Sequence, residues 1–158
     1  MPEEVRVSCV WYTSTMFKIR TRIWWSTVVL FAIISVMGLC ARTFGWYHEY
    51  WFTDIVLHTL SGGMFALFWL GLNYKEKYKS KFIFLLTLTM AGVFGSYFWE
   101  LWEFGGAYIL PGIAIAYAPN LSDTLGDIAC GMFGALVIAV TFLAKDEQVL
   151  KDYVVKNY

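Results

Sequence analysis

Four long apolar stretches divide the chain, and each is long enough to cross a lipid bilayer as a helix. A bilayer core about 30 Å thick needs roughly 20 mostly apolar residues in one helix. The stretches lack the strict alternation of apolar and polar residues that membrane β-strands require. The pattern therefore predicts an all-α, polytopic membrane protein. We expect a bundle of four transmembrane helices over residues 23–41, 51–72, 82–104 and 122–144.

Composition agrees with a single membrane domain between two short flanking segments. Hydrophobic residues make up 59% of the 158 residues, compared with roughly 45–50% in soluble domains. The formal net charge is zero, which argues against a nucleic-acid partner. Residues 1–22 mix aromatic and basic side chains, so this segment either lies along the membrane surface as a helix or forms an irregular tail. We predict a transmembrane domain over 23–144 and a C-terminal tail over 145–158.

The positions of the basic residues predict how the bundle is oriented. Of the twelve Lys and Arg residues, all but Arg42 lie before the first stretch, between the second and third, or after the fourth. Lys and Arg remain on the cytoplasmic side of a membrane by the positive-inside rule. Four spans with both termini in the cytoplasm satisfy this rule, and we expect the protein to lie in the cell membrane.

Three of the predicted helices carry pairs of acidic or histidine residues spaced three or four positions apart. Residues at this spacing share one helix face, so each pair can point into the bundle. The predicted topology places all three pairs near the outer ends of their helices. The pairs are Asp54 with His58 in DIVLH, Glu100 with Glu103 in ELWE, and Asp123 with Asp127 in DTLGD.

These polar residues need neutralisation, because no Lys or Arg lies within the predicted spans. A carboxylate at the bilayer centre costs at least about 2.5–3.5 kcal/mol, and five carboxylates also repel one another. Helical bundles build dinuclear metal sites from such residues, and an imidazole shifts the preference towards zinc, iron or manganese. We predict one or two divalent metal ions on these residues. A cluster that holds protons and a structural hydrogen-bond network are the alternatives.

Some of the six residues also have ordinary explanations. Asp54 and Asp123 can cap the starts of their helices, and Glu103 can face water where its helix leaves the membrane. His58, Glu100 and Asp127 have no such explanation. They are therefore the strongest candidates for ligands.

Small residues on the same three helices predict that these helices approach each other closely. The small residues are Ser61, Gly62, Gly63 and Ala66; Gly92, Gly95 and Ser96; and Gly126, Cys130, Gly131 and Gly134.

Two cysteines, Cys40 and Cys130, both lie in the predicted outer halves of their helices. There they can form a disulfide, bind a soft metal or simply pack.

Several functions are compatible with this site. A metal-dependent hydrolase near the outer face would suit a lipid headgroup or another phosphorylated substrate. The alternatives are a metal- or proton-handling protein and a non-catalytic subunit of a larger membrane complex. Membrane lipids, a second copy of the chain and other membrane subunits are the expected partners. The inner halves of the helices carry no matching polar residues, which argues against transport.

Three motifs in succession resemble the YjdF-like family of small membrane proteins. That family has D-x-x-x-H followed by Gly, then Y-x-x-E-x-x-E-[WF], then D-x-x-x-D-x-x-x-x-x-x-G-A on successive helices. The matching stretches are DIVLHTLSGG, YFWELWEF and SDTLGDIACGMFGAL, which cover about half the chain. The resemblance carries over the same six polar residues and implies no particular reaction. The chain has fewer helices at its N-terminus than longer members, and VanZ-like proteins are similar only in size and style.

Overall fold

The computed structural model describes residues 3–73, 80–109 and 121–157, and their side chains over 18–47, 49–73, 80–101 and 121–145. Every regular element in these residues is an α-helix, which confirms the all-α prediction. The helices are α1 (Glu3–Thr43), α2 (Trp46–Glu49), α3 (Phe52–Asn73), α4 (Lys81–Ile109) and α5 (Leu121–Asn157).

Four of these helices contain segments long and apolar enough to span a membrane. Each segment overlaps one of the predicted spans, so the prediction of four spans is confirmed. Helix α1 begins at Glu3, and the segment before the first span is therefore helical. Its position relative to the membrane, and the cytoplasmic location of both termini, stay predictions. The spans are Lys18–Thr43, Phe52–Asn73, Lys81–Leu101 and Leu121–Lys145.

Helix α3 is the central helix of the bundle. It contacts α1, α4 and α5, and the last two also contact each other. Helix α1 packs on α3, where Ile34 and Ala41 form a buried cluster with Leu57. Elsewhere α1 exposes apolar side chains such as Phe31 and Leu39, as expected of a helix that faces lipid.

Glycines let α3 and α5 cross with their backbones almost in contact. A Cβ atom on Gly62 would overlap the carbonyl of Gly131, and one on Gly134 would overlap the carbonyl of Thr59. The hydroxyl of Ser96 on α4 fills the space beside Gly131. The predicted close packing is therefore confirmed at these positions. At Gly126, in contrast, an added Cβ would meet nothing within 4 Å.

The core between α3, α4 and α5 is a stack of layers, because residues four apart on each helix lie one above the other. The first layer is polar, the second is small, and the two below it are apolar. We call the end of the bundle that holds the polar layer the site end. From the site end the layers are His58, Glu100 and Asp127; Gly62, Ser96 and Gly131; Ala66, Gly92 and Ala135; and Leu70, Leu88 and Ala139.

Candidate metal centre

His58 lies at the centre of the polar layer, with carboxylates from three helices around one of its ring nitrogens. Its Nε2 atom is 3.5 Å from Oδ1 of Asp54, one turn earlier on α3. The same nitrogen is 3.9 Å from Oε1 of Glu100 on α4 and 3.9 Å from Oδ2 of Asp127 on α5. The structure thus brings four of the six predicted residues together. We call these four residues the His58 cluster.

Burial within the His58 cluster increases from one side to the other. The His58 side chain is 2% exposed and that of Asp127 is 9% exposed. The Glu100 side chain is 14% exposed, whereas that of Asp54 is 32% exposed. The cluster is therefore closed towards the core and open to the surroundings at Asp54.

The two oxygens of the Glu100 carboxylate have different surroundings. Oε2 accepts a hydrogen bond of 3.0 Å from the hydroxyl of Thr124 on α5. Oε1 is buried and accepts no hydrogen bond from the residues that the structure describes. The hydroxyl of Ser96, one turn below Glu100, is also buried and without a hydrogen bond in the same residues. Buried polar atoms normally have a hydrogen-bond partner. The lack of a donor to Oε1 of Glu100, beside His58, therefore points to a bound ion or water.

The other two predicted ligands lie outside the His58 cluster or cannot be compared with it. Asp123 is in the first turn of α5 and is partly exposed, one turn before Asp127. Glu103 falls within helix α4, but its side chain lies outside the described residues. The placement of these two residues as ligands stays a prediction.

Three of the four residues of the His58 cluster offer donor atoms that are close enough together to hold a metal ion. One ligand atom each from Asp54, His58 and Asp127 can be chosen so that all lie within 4.8 Å of one another. Ligands at about 2.0–2.2 Å from a tetrahedral zinc are about 3.4 Å apart, close to the 3.5 Å between His58 and Asp54. The carboxylates of Glu100 and Asp127 lie at 3.9 Å from the same nitrogen, about 0.5 Å beyond this distance. One ion fits these described residues, and a second would need Asp123 or Glu103.

Two residues near the cluster have roles that the sequence alone did not indicate. Thr124 lies inside the DTLGD motif, and only the structure shows its hydroxyl crossing to Glu100. Ser96 was expected as a packing residue, and its buried hydroxyl is a polar atom directly under the cluster. Cys40 and Cys130 are free thiols, so the disulfide alternative is wrong.

Comparison with known proteins gives a family match. The family model described as "Predicted membrane protein (DUF2238)" matches residues 6–147, which include all four spans and every motif residue. No curated protein and no solved structure matches the chain. The resemblances to the YjdF-like family and to VanZ-like proteins are not tested by this match. Because the match covers most of its length, the chain belongs to the DUF2238 family of membrane proteins.

Proposed function

We propose that the protein binds a divalent transition-metal ion within the membrane, through the four residues of the His58 cluster. The observation that carries the proposal is the convergence of three carboxylates, from three helices, on the buried Nε2 atom of His58. The distances of 3.5–3.9 Å from this nitrogen to the carboxylate oxygens are close to, or about 0.5 Å longer than, the separation of about 3.4 Å between neighbouring ligands of a tetrahedral zinc.

Electrostatics support a cation at this point. Two like unit charges about 4 Å apart repel by about 4 kcal/mol at an effective dielectric constant of 20. Three ionised carboxylates beside a neutral imidazole carry a charge of −3, and a divalent ion reduces it to −1. The only basic residue predicted at this end is Arg42, which is exposed in the last turn of α1. A metal ion therefore provides the compensation that side chains of the core do not.

The ligand set favours zinc, iron or manganese over magnesium or calcium. Magnesium and calcium prefer oxygen ligands alone, whereas an imidazole nitrogen suits the first-row transition metals. His58 is the most deeply buried member of the cluster. Its nitrogen would therefore contribute to any ion held there, and we propose zinc, iron or manganese as the bound metal.

The distribution of basic residues supports a location of the site near the outer face of the cell membrane, with both termini in the cytoplasm. The partial exposure of Asp54 supports a reaction at the metal, because a catalytic metal needs one open coordination position. We propose hydrolysis of a lipid or another phosphorylated substrate as that reaction. Kinship with the YjdF-like family is part of the same proposal, since the same motif residues carry both.

The metal proposal is tested by measuring metal content and zinc affinity in detergent. Glu100→Gln removes one carboxylate of the cluster, and Glu49→Gln makes the same change at an exposed residue of α2. We expect about one equivalent of a transition metal in the unmodified protein and in Glu49→Gln. Glu100→Gln should bind zinc more than about 100-fold more weakly, since loss of a ligand exceeds the 10–100-fold effect of an outer-shell change.

Two results would contradict the metal proposal. The first is an unmodified protein that neither retains metal nor binds added zinc, which would favour protons as the neutralising cations. The second is a zinc affinity that is the same in Glu100→Gln and Glu49→Gln.

The proposed hydrolase activity has its own test. We expect the unmodified protein to release phosphate from a phosphorylated lipid in vesicles in a metal-dependent reaction, and Glu100→Gln not to do so.

A further inference from the structure

Thr124 makes a hydrogen bond that differs from those of most other threonines in the bundle. Its hydroxyl donates across the helix interface to Oε2 of Glu100, at 3.0 Å. Thr27, Thr87 and Thr141 instead donate to the carbonyl four residues earlier in their own helices. That intrahelical bond is the usual one for a threonine inside a helix. The hydroxyl of Thr124 is therefore available to another helix.

Thr124 lies at the start of α5. The helix begins at Leu121, so Thr124 is in its first turn. Asp127, three residues later, lies on the same helix face and belongs to the His58 cluster. The first turn of α5 therefore supplies both a carboxylate of the cluster and a hydrogen bond to a second carboxylate on α4.

We propose that Thr124 is a positioning residue for the metal centre. Its hydroxyl holds Oε2 of Glu100, so the other oxygen, Oε1, is turned towards Nε2 of His58 at 3.9 Å. A carboxylate fixed in this way binds a metal through one oxygen, and hydrogen bonds to ligating groups orient them and strengthen binding. This inference rests on the proposed metal site and specifies which oxygen of Glu100 binds the ion.

The test compares Thr124→Val, Thr124→Ser and Thr141→Val in the full-length protein. Thr124→Val keeps the shape of the side chain and removes the hydroxyl, and Thr124→Ser keeps the hydroxyl. Thr141→Val makes the same change at an exposed threonine of α5. Zinc affinity is measured by competition with a chromogenic chelator. We expect Thr124→Val to bind zinc about 10–100-fold more weakly, and the other two variants to bind it as the unmodified protein does.

Cobalt(II) added in place of zinc gives a second readout. The visible absorption spectrum of bound cobalt(II) depends on its coordination number. A substitution that only lowered the stability of the bundle would leave that coordination number unchanged. We expect Thr124→Val to have an altered spectrum and Thr124→Ser to have the spectrum of the unmodified protein. If Thr124→Val does not fold, as judged by its elution volume in detergent, the comparison is made between Thr124→Ala, which lacks the hydroxyl, and Thr124→Ser.

The outcomes separate this inference from the proposed function. Zinc binding by the unmodified protein, with the same affinity and cobalt spectrum in Thr124→Val, would overturn the positioning role alone. Failure of the unmodified protein to bind zinc or cobalt would overturn both. Binding by Thr124→Ser that is as weak as binding by Thr124→Val would also overturn the positioning role, because Thr124→Ser retains the hydroxyl.

Discussion

The same three helices pack together at both ends of the core, but the side chains between them are polar at one end and apolar at the other. At the site end, α3, α4 and α5 bring His58 together with three carboxylates. Toward the other end, the same three helices bring together Leu70 and Leu88 with small alanines, all at most 1% exposed. Helix contact alone therefore does not make a site. The residues of the His58 cluster that face the core lie in one layer. The two core layers that the structure describes beyond Ser96 contain no polar side chain.

The layer between these two regions determines how close the helices come. Gly62 and Gly131 each lie one turn below a residue of the His58 cluster, and their backbones are almost in contact. Close approach of α3 and α5 at this point places His58 and Asp127 at 3.9 Å. The small layer thus separates the polar layer from the apolar layers, and it also sets the spacing within the polar one.

The largest expected effect comes from filling the small layer with Gly62→Ala. The added methyl group would overlap the carbonyl of Gly131, which is backbone and cannot rotate away. We expect a loss of about 3 kcal/mol or more in the free energy of unfolding, at the upper end of overpacking effects. Thermal unfolding in detergent measures this loss.

Gly126→Ala is the matched control for Gly62→Ala. It lies one residue before Asp127, and an added Cβ there meets nothing within 4 Å. Because alanine favours helix over glycine by up to about 1 kcal/mol, we expect an unchanged or slightly raised unfolding temperature. Similar destabilisation by both substitutions would show that the crossing does not depend on close approach at Gly62.

A smaller effect is expected from Asp127→Asn, which reduces the charge of the polar layer. In metal-free protein this substitution removes repulsion from two nearby carboxylates, so we expect stability to rise by at least about 1 kcal/mol, the value for a single pair at about 4 Å in water. In the presence of zinc at 100 times its dissociation constant, the unmodified protein should gain about 2.7 kcal/mol, and the variant should gain much less. Unfolding curves with and without zinc measure both differences.

The control for Asp127→Asn is the same pair of unfolding curves for Glu49→Gln, which neutralises an exposed carboxylate of α2. We expect no change in stability with this variant, and the full gain from zinc. A metal-free Asp127→Asn protein that is less stable than the unmodified one would mean that Asp127 holds the core together through hydrogen bonds, as the structural alternative requires.

The fold could be predicted from the sequence because its signal is long and uninterrupted. Each apolar stretch is close to the length of a membrane span, and the four spans follow directly from these stretches. The direction of insertion depends on the surrounding membrane, and so it stays a prediction. The small residues predicted close packing correctly at Gly62 and Gly131, but helix periodicity did not show that Gly126 has open space beside it.

The site was predictable in part. Spacing gives the face and depth of a residue on its helix, which was sufficient to group His58, Glu100 and Asp127. Spacing does not give the rotation of one helix relative to the next or the direction of a hydroxyl. For this reason the bond from Thr124 to Glu100 was not predicted, and the role of Asp123 as a ligand stays a prediction.

Asp123→Asn has the smallest expected effect, and it tests whether Asp123 is a ligand of a second metal ion. Asp123 is partly exposed, one turn from Asp127, so its charge acts on a bound ion over roughly 6 Å through partly aqueous surroundings. A unit charge and a divalent ion at that distance in water attract each other by about 1.4 kcal/mol. Salt at physiological ionic strength, with a Debye length of about 8 Å, roughly halves this attraction, which leaves about a 3-fold change in zinc affinity. Calorimetric titration with zinc should therefore show one equivalent, bound slightly more weakly. If Asp123 is instead a ligand of a second ion, the unmodified protein binds two equivalents and the variant loses one, because an ion that loses a carboxylate ligand cannot be held by distant charge alone.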